Sequence, residues 1–163
     1  MKKLILTAFA ATAVLGTPLV YAESGNVQTL SGGIFSNALS LDYGNAKSST
    51  SQVRGAGKIL QSDVSFFPVG RVSSFECIGT TSSDAQNQSG TSQCLVIDSD
   101  GDKLRQNFVR TEVTQTRIKG TVELLGLTGK YSGATGTGTY ELQVIQGNGV
   151  TYLSNLVQMK VSK

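Results

Sequence analysis

A strand-like stretch followed by a tight turn, near the C-terminus, constrains the fold of this chain more than any other feature. The stretch TGTYELQVIQ carries Tyr140, Leu142 and Val144 at alternate positions, with polar side chains between them. A period of two is typical of a strand that has one buried face. Residues 146–150 read QGNGV, and Asn-Gly favours a type I′ hairpin turn into the next strand-like run at 150–161. The sequence therefore predicts an antiparallel hairpin here.

The rest of the chain repeats this pattern, and almost nothing in it is typical of a helix. Short runs rich in Val, Ile, Thr, Tyr and Phe alternate with clusters of Gly, Asn, Asp and Ser. Asp-Gly in DSDGDK, residues 98–103, marks a second hairpin turn. Short strands joined by short turns favour an antiparallel sandwich or barrel, and a closed barrel has no exposed sheet edge. The candidate strands are residues 38–43, 52–60, 63–67, 72–79, 92–98, 103–110, 112–120, 121–126, 137–146 and 150–161.

Residues 1–22 have the pattern of a secretory signal peptide. A start with two lysines precedes an apolar stretch at 4–16, and Val20 and Ala22 occupy the small-residue positions of a cleavage site. The apolar stretch is too short to span a bilayer comfortably, although an uncleaved N-terminal anchor is the alternative. We expect cleavage after Ala22 and one domain, residues 23–163, that is periplasmic or secreted.

The charge of this predicted mature chain is close to neutral. The whole sequence has 14 Lys and Arg against 11 Asp and Glu, and two of the lysines lie in the signal peptide, which leaves a net charge of +1. No run of basic residues is present. The sequence therefore indicates neither nucleic acid nor an anionic membrane surface as a partner, and we expect no stable membrane insertion after signal cleavage. The oligomeric state stays open.

Two cysteines, Cys77 and Cys94, lie in the predicted mature chain. An even number of cysteines in an exported protein predicts one disulfide, because the compartment is oxidising. The alternative is a pair of free redox thiols, but the spacing is not C-x-x-C.

The absence of His removes the usual general base and the commonest metal ligand. Without His, no Ser-His-Asp triad can form. Asp98, Asp100 and Asp102 offer the oxygen ligands that Ca²⁺ prefers, but Gly101 and Val109 stand fourth and twelfth, where an EF-hand loop has Gly sixth and Glu twelfth. Asp is also common in hairpin turns, and we favour that interpretation. The sequence thus predicts no catalytic residue, no metal and no cofactor.

Glycines are concentrated in LLGLTGKYSGATGTGTYEL, residues 124–142. A phosphate-binding loop would have Ser or Thr after its Gly-Lys pair and a helix beyond it, whereas here Tyr131 and a strand-like run follow. We therefore predict a structural corner at Gly129, Gly133 and Gly136, where positive φ and close backbone approach are allowed and Tyr131 packs inward.

This stretch, together with the preceding CLVIDSDGDKL, resembles the GGTGKYAGATGxGxY-like signature of small secreted bacterial barrel proteins. It is more distantly similar to the GGTGxFxxAxG region of dirigent proteins and to the matching corner of allene oxide cyclases. The resemblance covers Cys94 to Leu142 and departs at Leu127, where the bacterial group often has Gly. It implies an eight-stranded antiparallel barrel of the calycin-like type. Plant members of the wider family include a cyclase and stereo-directing proteins, whose sites lie in the barrel cavity.

Two roles follow as expectations, with an enzyme as the alternative. The protein is expected to bind a small apolar molecule in the barrel, or to serve a structural or partner-binding role. The alternative is a cyclase- or isomerase-like enzyme that acts by confining its substrate. A large cavity would favour a ligand or a substrate, whereas a filled barrel with an exposed apolar patch would favour a partner protein.

Overall fold

The computed structural model describes residues 22–84 and 88–163, without the side chains of residues 37 and 38. The predicted signal peptide, residues 1–22, lies outside the described residues apart from Ala22. The described strands are β1 (Ser24–Asp42), β2 (Ala46–Ser62), β3 (Val72–Asp84), β4 (Gln88–Asp98), β5 (Lys103–Val113), β6 (Arg117–Gly126), β7 (Thr135–Gly147) and β8 (Val150–Ser162).

Each strand pairs with the next in antiparallel register, and β8 pairs with β1 to close the barrel. This confirms the predicted all-β fold, an eight-stranded antiparallel up-and-down barrel. No helix in the described chain is long and apolar enough to cross a membrane.

Both predicted hairpin turns are present. Between β7 and β8, Asn148 and Gly149 have φ values of 51° and 75°. Positive φ at both central positions is what a type I′ turn requires. Between β4 and β5, Gly101 has a φ of 86°, which a residue without Cβ adopts at low cost.

The N-terminal half departs from the predicted strand boundaries. Residues 24–37 belong to β1, although this stretch was not among the candidate strands. Its serines and glycines interrupt the apolar alternation on which the prediction depended. The predicted strand at 63–67 is wrong, because this segment connects β2 to β3 and buries Phe66 and Phe67.

The two ends of the barrel differ in packing. The connections at 63–71, 99–102 and 127–134 form one end, which we call the closed end. The turns at 43–45, 114–116 and 148–149 lie at the other, which we call the open end. The core cluster is densest toward the closed end, where Phe67 packs on Phe66 and Tyr131 with ring centroids 5.3 and 4.9 Å apart. Buried residues at or near this end include Val27, Val64, Phe66, Phe67, Leu104, Leu124, Tyr131, Ala134 and Val161.

Candidate functional site

An internal cavity of about 630 Å³ runs along the barrel. It extends from Phe67 and Tyr131 near the closed end to Lys47, Gln88 and Gln146, which are exposed at the open end. The cavity is therefore accessible to solvent through the open end.

The cavity exists because many inward-facing side chains are small. An eight-stranded barrel is just wide enough for large side chains to fill it, so small ones leave space for a ligand. The small residues that line the cavity include Ser31, Gly33, Ser49, Ser51, Gly57, Ser73, Gly79 and Ser92.

The wall combines apolar and polar groups. Its apolar side chains are Phe35, Val53, Phe75, Val96, Phe108, Ile118, Tyr140, Leu142, Val144, Leu153, Val157 and Met159. Among the polar side chains that also line it, Asn155 has a buried Oδ1 that accepts no hydrogen bond from the described residues. An unsatisfied buried acceptor costs about 1–3 kcal/mol, so a donor inside the cavity would stabilise this wall.

Within the described part of the chain, the charged groups of the cavity wall are all cationic. Lys47, Lys58, Arg71 and Arg110 line it, and no carboxylate of the described chain does. Arg71 pairs with Asp100 at the closed end, with a nitrogen–oxygen distance of 2.6 Å.

Arg110 is the cation placed between Phe108 and the open end on β5. Burial lowers the pKa of its guanidinium, an effect that interaction with Tyr140 opposes. Among the described residues, Arg110 Nη1 donates a hydrogen bond to Thr81 Oγ1 at 2.8 Å. None of the ion pairs in the described chain includes Arg110.

Tyr140 lies in the same wall, as the alternation in β7 predicted. Its ring packs edge-on against Phe108, with centroids 5.0 Å apart and an interplanar angle of 87°. Burial raises the pKa of its phenol, and Arg110 opposes that rise. The hydroxyl therefore stays protonated at neutral pH and can donate a hydrogen bond.

The acidic turn between β4 and β5 is organised around Lys130. The ammonium of Lys130 lies 2.5, 2.8 and 3.1 Å from one oxygen each of Asp98, Asp100 and Asp102. The carboxylates weighed above as a calcium site thus surround a cation that the chain itself supplies. Sequence reasoning missed this role of Lys130 because it lies in a connection far along the chain from the turn.

Asp98 is the buried member of this group, with 1% of its side chain exposed. Its Oδ1 accepts from the backbone N–H groups of Asp100 and Asp102 at 2.9 and 3.0 Å, and Oδ2 accepts from the Tyr131 hydroxyl at 3.1 Å. Burial acts to raise the pKa of Asp98, but the hydrogen bonds from Lys130 and these donors outweigh it, so the pKa is lowered. We call Asp98, Asp100, Asp102, Lys130 and Tyr131 the closed-end clasp.

The glycine corner lies beside the clasp. Gly129 and Gly133 have φ values of 56° and 80°, in the left-handed region. Gly136 does not have positive φ, but a Cβ there would lie 2.8 Å from Val161 Cγ1. A short 3-10 turn, Gly129–Tyr131, directs the Tyr131 ring into the closed end. Gly129 and Gly133 thus lie in the connection from β6 to β7, and Gly136 is the second residue of β7.

Cys77 and Cys94 form a disulfide and are directly opposite each other on β3 and β4. Both are buried and line the cavity. The bond therefore links two neighbouring strands about halfway along the barrel.

No protein-family model matches this chain, and no curated protein matches its sequence. The resemblance to the small bacterial barrel proteins consequently stays a prediction.

Proposed function

We propose that the protein is an exported barrel that binds one small, largely apolar molecule in its cavity. The observation that carries this proposal is the cavity of about 630 Å³, which reaches solvent at the open end. Ligand pockets in proteins commonly measure about 300–1,000 Å³ and combine apolar walls with a few polar groups. The disulfide supports a periplasmic or secreted location, because such bonds persist in oxidising compartments.

A filled cavity would be the expectation if the barrel served only as a scaffold or as a surface for a partner protein. The buried side chains instead concentrate toward the closed end, and small residues line the space beyond it. Leaving that space open sacrifices packing contacts that larger side chains would make. A role for the space itself explains this arrangement better than a purely structural role.

The test uses N-phenyl-1-naphthylamine, an uncharged aromatic probe whose fluorescence rises in apolar surroundings. The parent protein should bind one probe per chain. Leu153→Trp places an indole in the cavity wall and should weaken binding at least tenfold. Tyr152→Trp is the matched control, since Tyr152 is the adjacent outward residue with 45% exposure, and it should bind as the parent does. Absence of probe binding to the parent, or equal loss in both variants, would refute the proposal.

The alternative is a cyclase- or isomerase-like enzyme, and the position of Tyr140 favours it. A protonated phenol inside a confined cavity can donate a hydrogen bond to a reacting oxygen. A molecule recovered from the purified protein would be incubated with parent and Tyr140→Phe, and its structure followed by NMR. Conversion by the parent and none by Tyr140→Phe would favour the enzyme over the binding protein.

A further inference from the structure

We infer that the molecule bound in the cavity carries an anionic group and that Arg110 binds this group near the open end. This inference rests on the proposed ligand-binding function and specifies the chemistry of the ligand. A carboxylate, a sulfonate or a phosphate would supply the same interaction, so the class is a largely apolar molecule with a negatively charged group.

The hydrogen-bonding capacity of Arg110 is largely unused. A guanidinium has five N–H donors, and the described bond to Thr81 Oγ1 uses one of them. None of the ion pairs of the described chain neutralises this cation, and no carboxylate among the described residues lines the cavity. A partly buried charge without a counter-ion is unfavourable, and an anion inside the cavity would remove that cost.

The barrel also makes room for the Arg110 side chain. A Cβ at Gly90, on the neighbouring strand β4, would lie 3.0 Å from Arg110 Cδ and 3.1 Å from Nε. Glycine at this position therefore lets the side chain cross β4 toward Thr81 on β3. Together, Gly90 and Thr81 orient the guanidinium within the cavity wall.

The side chains next to Arg110 in the cavity wall suit the apolar body of such a ligand. Along β5 from Arg110 toward the closed end, Phe108 comes next, with the Tyr140 ring packed on it, and Leu104 lies beyond, toward the end that Tyr131 occupies. A ligand that placed its anionic group on Arg110 would direct its apolar body toward these side chains. The reverse orientation would bring the anion toward Arg71, whose charge Asp100 already pairs.

The experiment compares two probes that differ by one charged group. 1-Anilinonaphthalene-8-sulfonate has the ring system of N-phenyl-1-naphthylamine and adds a sulfonate. The parent should bind the sulfonate with the higher affinity. Arg110→Gln should weaken sulfonate binding about ten- to a hundredfold, the range expected for losing hydrogen bonds to a charged group, and leave the uncharged probe within twofold.

Two further variants control for folding and for overall charge. Arg110→Lys keeps the charge without the fork of donors and should retain part of the sulfonate affinity. Arg105→Gln removes the same charge from the outward face of β5, opposite Leu95, and should change neither affinity. Thermal melts of all variants would show that each is folded.

The outcomes separate this inference from the proposed function. If the uncharged probe did not bind to the parent, the proposed function itself would fail. If the uncharged probe bound but Arg110→Gln left sulfonate affinity unchanged, the binding function would stand and the anionic ligand would be wrong. Equal losses in Arg105→Gln and Arg110→Gln would also overturn it, since the effect would then come from overall charge.

Discussion

Replacing Asp98 with Ala is expected to be the most destabilising single change in the closed-end clasp. Lys130 contacts three carboxylates, yet only that of Asp98 is removed from water, with 1% of its side chain exposed against 49% for Asp100. Exposed ion pairs contribute little, because water and salt screen them. The structure therefore predicts a strong asymmetry between two chemically identical partners of the same lysine.

The size of the stability loss in Asp98→Ala follows from the groups that lose a hydrogen-bond partner. The Tyr131 hydroxyl lies in a residue that is 3% exposed, and without Asp98 Oδ2 it would be a buried donor with no acceptor, at a cost of about 1–3 kcal/mol. The lost contact to the Lys130 ammonium adds a charged hydrogen bond of about 1.5–3 kcal/mol. We expect Asp98→Ala to lower the free energy of unfolding by about 3–5 kcal/mol, the range for breaking a buried ion pair.

Urea unfolding followed by far-ultraviolet circular dichroism measures this difference, and Asp100→Ala is the matched control. The midpoint of Asp98→Ala should fall far below that of the parent, and the control should stay near the parent. If the two variants lost equal stability, or if Asp98→Ala lost less than about 1 kcal/mol, the hydrogen bonds of the clasp would not have the role assigned to them.

Three further perturbations test other parts of the fold. Because the pKa of Asp98 is lowered in the folded state, its contribution to stability is present above the unfolded pKa of about 3.9 and is lost as the pH falls through the folded pKa. The free energy of unfolding of the parent, measured as the pH is lowered, should show this loss. An equally steep loss in Asp98→Ala would contradict the assignment. Changing both Cys77 and Cys94 to Ser should lower the free energy of unfolding by about 3 kcal/mol, because the disulfide restricts the unfolded chain over a loop of this size. An unchanged urea midpoint would contradict this prediction. Gly129→Ala should lower the free energy of unfolding more than Gly133→Ala does in the same assay. Both glycines have positive φ, but only at Gly129 would a Cβ collide with the Asp102 carboxylate. Equal losses of stability would show that the collision is relieved.

The architecture followed from local signals in the second half of the chain. The alternation around Tyr140 and the Asn-Gly and Asp-Gly turns depend on residues close in sequence, so they could be read without knowing the fold. The eight-strand count came from the resemblance, because the residues alone left a sandwich open. Residues 112–120 and 121–126, predicted as two strands, contribute instead to the end of β5, a turn and β6.

The candidate site was harder to predict because it depends on contacts between distant segments. Lys130 meets Asp98 only after β5 and β6 have returned the chain to the closed end. Arg110 carries no sequence signal, since an arginine in a strand is usually exposed. Its inward direction follows from its place in β5, two residues beyond Phe108 on the same face, close to the end of the predicted strand. The small inward-facing residues that open the cavity were also visible only as polar interruptions of the predicted strands.

The two ends of the barrel differ in the contacts that close them. At the closed end, Arg71, Asp98 and Lys130 join three connections that are far apart in sequence, and the rings of Phe67 and Tyr131 pack beneath them. Passage of a ligand there would require several ion pairs and a ring contact to break together. At the open end short turns join the strands, and Arg110 lies in a wall that carries polar side chains together with the apolar side chains of Ile118 and Val144. Because the closed-end clasp and the ring contact lie opposite the entrance, the cavity can admit a molecule without disturbing them.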